Sequence, residues 1–116
     1  MKNTCENILS IGVPLEKFGV QNFGLTREQA LSVLDKFRCS GIAILGGDVY
    51  RISNGKLEPT YDNWYCDREN SENIDDYTRR SIQKANEFIS SYSSSFDLQT
   101  ILFVFAGCDD ADSFSI

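Results

Sequence analysis

The sequence predicts a single α+β domain in which two to three helices pack on a mixed or mainly antiparallel sheet. Three observations carry that expectation. Residues 26–37 and 74–92 both place apolar side chains at intervals of three and four, the period of a helix with one buried face. Between them runs a β-forming stretch interrupted by Asn54-Gly55, the strongest short hairpin signal in any sequence. After the second helix comes Ile101-Leu102-Phe103-Val104-Phe105, five large apolar residues that read as an inner strand. The chain of 116 residues, 41% hydrophobic and 12% aromatic, is long enough to bury one core without metal or disulfide staples.

The elements follow in order. Asn3 to Ile11 is a short helix with Ile8, Leu9 and Cys5 on one face, ended by Gly12 and Pro14. A loop punctuated by Gly19 and Gly24 leads to Thr26-Arg27-Glu28-Gln29, a capping-box pattern in which the threonine caps and the glutamine reaches back. Ala30, Leu31, Val33, Leu34 and Phe37 form the stripe behind it, and Gly41 stops the helix. Ile42 to Leu45 reads as a strand, Gly46-Gly47 as a tight bend and Val49 to Ser53 as the next strand, with Asp48 at the mouth of the bend. Lys56 to Glu58 is the return strand, cut short by Pro59 and therefore at a sheet edge.

Tyr61 to Cys66 adds a further extended piece, and Ser71 is positioned to cap the long helix. That helix carries Ile74, Tyr77, Ser81, Ile82, Ala85, Phe88, Ile89 and Tyr92 on one face, with Glu72, Asp75 and Asp76 at its positive end. The serine cluster 90–95 breaks it. The tail from Gly107 to Ile116, with Asp109, Asp110 and Asp112, is expected to fray. No internal repeat or domain boundary interrupts residues 1–116.

Charge and cysteine usage narrow the function. Seventeen acidic against 11 basic residues give a net charge of −6, which opposes direct nucleic-acid binding and favours a basic protein partner or plain solubility. The opening residues hold no signal-peptide core, and the longest apolar run, Ile101 to Ala106, is far too short to span a membrane. The expected location is the cytosol, and the four scattered cysteines, Cys5, Cys39, Cys66 and Cys108, are expected to be reduced and mostly buried.

Histidine is absent, which removes Ser-His-Asp and Cys-His catalysis and leaves no metal-ligand motif. Neither Cys39, near a helix end, nor Cys66, beside Asp67, has the surroundings of an activated thiolate. Carboxylates remain. Asp75 and Asp76 diverge by about 100° on a helix and cannot act on one bond. Asp48 and Asp62, if brought together, would suit a divalent metal or acid–base pair; as ordinary turn residues they need no such role. Gly46-Gly47 lacks the Lys-Ser/Thr of a phosphate loop.

Trp64 is the sole tryptophan. A lone indole in a small domain is more often core than contact. Yet Tyr61, Trp64 and Tyr65 cluster with Asp62, Asn63 and Asp67, and aromatics ringed by acids grip lysine and arginine. Glu69, Glu72, Asp75 and Asp76 would extend that rim.

The helix Thr26 to Phe37, the run Ile44-Leu45-Gly46-Gly47-Asp48-Val49-Tyr50, the pair Asn63-Trp64, and Ser81 with Ala85 and Phe88-Ile89 resemble the immunity protein 40 family of bacterial polymorphic-toxin systems. The resemblance covers the chain from the second helix to the last strand. It implies a protein that sits in the producing cell and neutralises a cognate toxin by binding it; from the residues themselves no catalysis and no cofactor are expected. It carries over no contact residues. The contact set expected from the residues themselves is Asp48, Tyr50, Tyr61, Asp62, Trp64, Glu69, Glu72 and Asp76, an acidic-aromatic surface suited to the basic groove of a nuclease toxin. Two alternatives from other classes are a small metal-dependent enzyme using Asp48 and Asp62, and a regulatory protein-binding module.

Overall fold

The computed structural model describes residues 4–93 and 100–109. Its elements are α1 (Thr4–Leu9), β1 (Val13–Pro14), a 3-10 turn (Glu16–Phe18), β2 (Phe23–Gly24), α2 (Arg27–Ser40), β3 (Ala43–Ser53), β4 (Lys56–Tyr65), α3 (Ile74–Ser91) and β5 (Ile101–Asp109). The main sheet has the order β4-β3-β5 and is antiparallel throughout, while β1 and β2 form a small ribbon. The α+β architecture is as expected.

Local chemistry sets the helix ends. Thr26 accepts from the Gln29 backbone while the Gln29 side chain accepts from Thr26 N–H, so the capping box is complete. Gly41 closes α2 in the left-handed conformation at φ 70°. The cap of α3 is Asn73 rather than Ser71: Asn73 Oδ1 accepts from Asp76 N–H at 2.8 Å. Ser71 instead sits in a turn fastened by Glu72 N–H to the Glu69 carbonyl and Arg68 Nε to the Glu72 carbonyl.

Three sheet expectations need correction. Gly46-Gly47 is no bend: β3 runs straight through it, and neither glycine has a positive φ. The glycines are there for room. A Cβ on Gly46 would lie 2.2 Å from the Trp64 carbonyl oxygen, and one on Gly47 would lie 2.3 Å from Trp64 Cη2. Nor does Pro59 end its strand. It faces Tyr50 on the free edge of β4, where its missing N–H costs no ladder bond, and pairing resumes at Asn63 after a bulge.

β5 is the other outer strand, not an inner one. Its apolar character has another cause. Leu25 bridges Phe103 through two backbone hydrogen bonds of 2.9 and 2.8 Å, and Asn22 Nδ2 donates to the Phe105 carbonyl at 2.8 Å. The segment before α2 thus covers the edge. β5 also extends to Asp109, so the expected fraying does not begin at Gly107; residues 110–116, like 94–99, lie outside the described set. Asn54-Gly55 is the expected hairpin turn, with φ of 53° and 75° joining Ser53 to Lys56.

The core lies on one face of the sheet, against α2 and α3. Phe37, Leu34 and Val33 of α2, Ile82, Ala85 and Ile89 of α3, and Val49, Ile101, Phe103 and Phe105 of the strands are all essentially buried. Thr78 and Ser81 are buried polar residues, and both are satisfied: Thr78 Oγ1 donates to the Ile74 carbonyl, and Ser81 Oγ donates to the Thr78 carbonyl and accepts from Ile44 N–H at 3.1 Å, tying α3 to β3.

Candidate functional site

β4 is the edge that positions the candidate residues. Opposite Val49 the register slips, so that Thr60, Tyr61 and Asp62 bulge outward between the Pro59 and Asn63 pairings. Thr60 Oγ1 pins the bulge by donating to the Val49 carbonyl at 2.8 Å and accepting from Asp62 N–H at 3.2 Å. Tyr61 at its tip has φ 69°, a conformation that costs a non-glycine residue roughly 1–2 kcal/mol, and is 85% exposed. Such strain collects where function needs a particular side chain.

The eight expected contact residues separate into four groups. Trp64 is core: it is 5% exposed, stacks on Phe88 of α3 with centroids 4.8 Å apart and meets the edge of Phe105 at 5.9 Å. It supports the surface but cannot touch a partner. Asp48 and Tyr50 are half-buried and point away from the helices, because Gly47 and Val49 between and beside them face Trp64 and the core. Asp48 lies in register between Asn63 on β4 and Val104 on β5.

Tyr61 and Asp62 form the third group. Asp62 Oδ2 accepts from the Tyr92 hydroxyl at 2.8 Å, which places it at the helix side of the sheet, by the C-terminal end of α3. Asp48 and Asp62 therefore lie on opposite faces and do not converge. The alternative of a metal or acid–base pair needed the two to meet, which strand alternation prevents, and no cluster of three metal-ligating side chains occurs among the described residues.

Glu69, Glu72 and Asp76 sit at the other end of α3. From Asp76 to Tyr92 the helix rise alone is about 24 Å, so the acidic-aromatic rim is two patches rather than one. Glu72 is also not a free contact. Arg80 donates to both its carboxylate oxygens, Nε to Oε2 at 2.8 Å and Nη2 to Oε1 at 2.7 Å, and only 11% of the Glu72 side chain is exposed. The Arg80 hydrogen bonds hold the Glu72 carboxyl at about 2, with the Glu69 N–H assisting, and reciprocally raise the guanidinium further. Asp76 pairs with Arg79 one turn on, at the surface.

Arg80 was not among the expected residues, yet it organises this end of the molecule. Besides Glu72 it donates to the Asp67 carbonyl at 2.6 Å and to Cys66 Sγ at 3.1 Å, and it lies 5.8 Å from the Tyr77 ring, whose hydroxyl donates to the Cys66 carbonyl. Burial raises the Cys66 thiol, with Arg80 opposing, so this cysteine remains a neutral packing group. Of the other cysteines, Cys5 is buried, Cys108 is partly buried and Cys39 is exposed. The only hint in the sequence is that Arg80 borders the buried stripe three residues after Tyr77.

No helix among the described residues is long and apolar enough to cross a membrane. In comparisons with known proteins, the family model described as immunity protein 40 matches residues 14–106. Neither the curated proteins nor the solved structures contain a match to the chain.

Proposed function

We propose, from the premise that this chain belongs to the immunity protein 40 family, that it neutralises a cognate toxin by stoichiometric binding through the surface along β4. The observation that carries this reading is the bulge on the free edge, which holds Tyr61 outward beside Asp62 and Asn63. Tyr65 continues the surface at 57% exposure, and Asp48 and Tyr50 extend it onto the helix-free face. Neither Asp48 nor Asp62 makes a salt bridge among the described residues, so both charges are available to a partner.

An exposed tyrosine beside uncompensated carboxylates suits a basic counterpart, as the substrate groove of a nuclease toxin would present. The net charge of −6 adds long-range attraction and speeds encounter in the producing cell's cytoplasm, before self-damage. Glu69 and Asp76 contribute to that field from the far end of α3, while Trp64 and Glu72 serve as scaffold. Inhibition of this kind needs no cofactor, only occlusion.

The test is co-purification with the toxin domain encoded beside this gene, followed by growth of toxin-expressing cells. A one-to-one complex that restores growth is expected. The double variant Asp48→Lys/Asp62→Lys should associate at least roughly tenfold more slowly and with a shallower salt dependence. Unchanged association by a folded double variant would remove this surface from the interface.

A further inference from the structure

Between the β4 bulge and the end of α3 lies a shallow depression of about 450 Å³, lined by Tyr61, Asp62 and Asn63 on one side and by Phe88, Ser91 and Tyr92 on the other. Two independent features there favour a cation. Phe88 and Tyr92 supply adjoining aromatic rings with centroids 5.6 Å apart, and Tyr61 adds a third at the mouth. Rings of this kind attract a cation to their faces.

Asp62 supplies the charge. Its Oδ2 is oriented by the Tyr92 hydroxyl, and no arginine or lysine pairs with it among the described residues. Arg27 donates to the Tyr92 carbonyl but does not line the depression, so it leaves Asp62 to an incoming group.

We infer that this depression is the receptor for one arginine side chain of the toxin, its guanidinium lying against Tyr61 and the outer side of the Phe88–Tyr92 pair and hydrogen-bonded to Asp62. Arginine fits better than lysine because a planar guanidinium stacks on aromatic faces while its fork donates to a carboxylate. The left-handed Tyr61 then has a purpose, since an ordinary extended residue at that point would remain in the ladder and leave the depression without a wall.

The inference rests on the toxin-binding reading for the source of the arginine, but the pocket can be tested without the toxin. Acetyl-arginine amide, acetyl-lysine amide and acetyl-citrulline amide are titrated separately into the labelled protein, to tens of millimolar, and amide shifts are followed by NMR. Saturable shifts confined to residues 61–63, 88 and 91–93 are expected with arginine, at least roughly fivefold weaker with lysine and absent with neutral citrulline. Asp62→Asn keeps an acceptor for the Tyr92 hydroxyl and should abolish saturation; Tyr61→Ala, at an exposed position, should weaken it. Absent saturation, equal response to citrulline or lysine, or an unaffected Asp62→Asn would each overturn the assignment. A toxin complex that forms equally well with Asp62→Asn would leave the family reading intact and remove only this receptor.

Discussion

Replacing Gly47 by alanine should destabilise the protein through one ring. The added methyl would lie 2.3 Å from Trp64 Cη2, 2.7 Å from Cζ3 and 2.8 Å from Cζ2, well inside contact distance. The indole cannot retreat freely, because Phe88 stacks on its other face at 4.8 Å and Phe105 meets its edge. Overpacking of this kind costs about 1–3 kcal/mol, and the stiffer unfolded chain of alanine returns about 0.4–1 kcal/mol. The net expectation is a loss of about 1–2 kcal/mol. With an m value of about 1.5 kcal/mol/M, that lowers the urea midpoint by roughly 1 M. Far-UV circular dichroism is the readout, since it does not depend on the tryptophan. In a Trp64→Phe background the clashing ring atoms are gone, so the methyl should become nearly neutral, giving a coupling of about 1 kcal/mol or more. Gly46→Ala is the control: its methyl meets the Trp64 backbone oxygen at 2.2 Å, so Trp64→Phe should not rescue it. A Gly47→Ala cost below about 0.5 kcal/mol, or one undiminished by Trp64→Phe, would refute the close-approach account of the glycine pair.

Three other outcomes follow from the geometry. Because Arg80 depresses Glu72 to about 2, the pair contributes stability above the ordinary carboxylate range that is lost as pH falls toward 2; Arg80→Met should return the Glu72 titration, followed by carboxyl NMR, to near 4.5 and weaken the acid dependence of unfolding. Tyr61→Gly should raise stability by up to about 1 kcal/mol by relieving the left-handed conformation, while Tyr61→Val should lower it by at least as much; equal midpoints in chemical denaturation would contradict the strained bulge. Thr26→Ala removes the capping-box acceptor and should cost about 1 kcal/mol, read as a lower thermal midpoint.

The helices and the hairpin were legible because their signals are local. Thr26 with Gln29, the left-handed Gly41 and the pair Asn54-Gly55 each act within a few residues, and spacing alone reveals them. Gly46-Gly47 misled because a glycine serves two purposes, left-handed turns and close approach, and only the partner across the ladder tells which. That partner, Trp64, is distant in sequence. The same distance hid the Arg80 grip on Glu72, whose eight-residue separation is not a helical pairing, and the covering of β5 by Asn22 and Leu25. In the candidate site, the sequence pointed to Tyr61 and Asp62, but not to Phe88 and Tyr92 as their neighbours, since both fall on the stripe that periodicity assigns to the core.

The position of β5 has a consequence for how the protein comes into being. β3 and β4 meet through a two-residue turn and can pair as soon as both are synthesised, whereas β5 must find partners made much earlier, Arg51 opposite Ile101 on one side and Leu25 opposite Phe103 on the other. Closing such long loops is slow and yields little until the whole register is set. Folding should therefore end with a single cooperative step in which the late strand seals sheet, core and N-terminal segment together. A nascent chain lacking β5 would carry the β4 bulge with no Phe103 or Phe105 behind it, so assembly of the mature surface waits on translation of that strand.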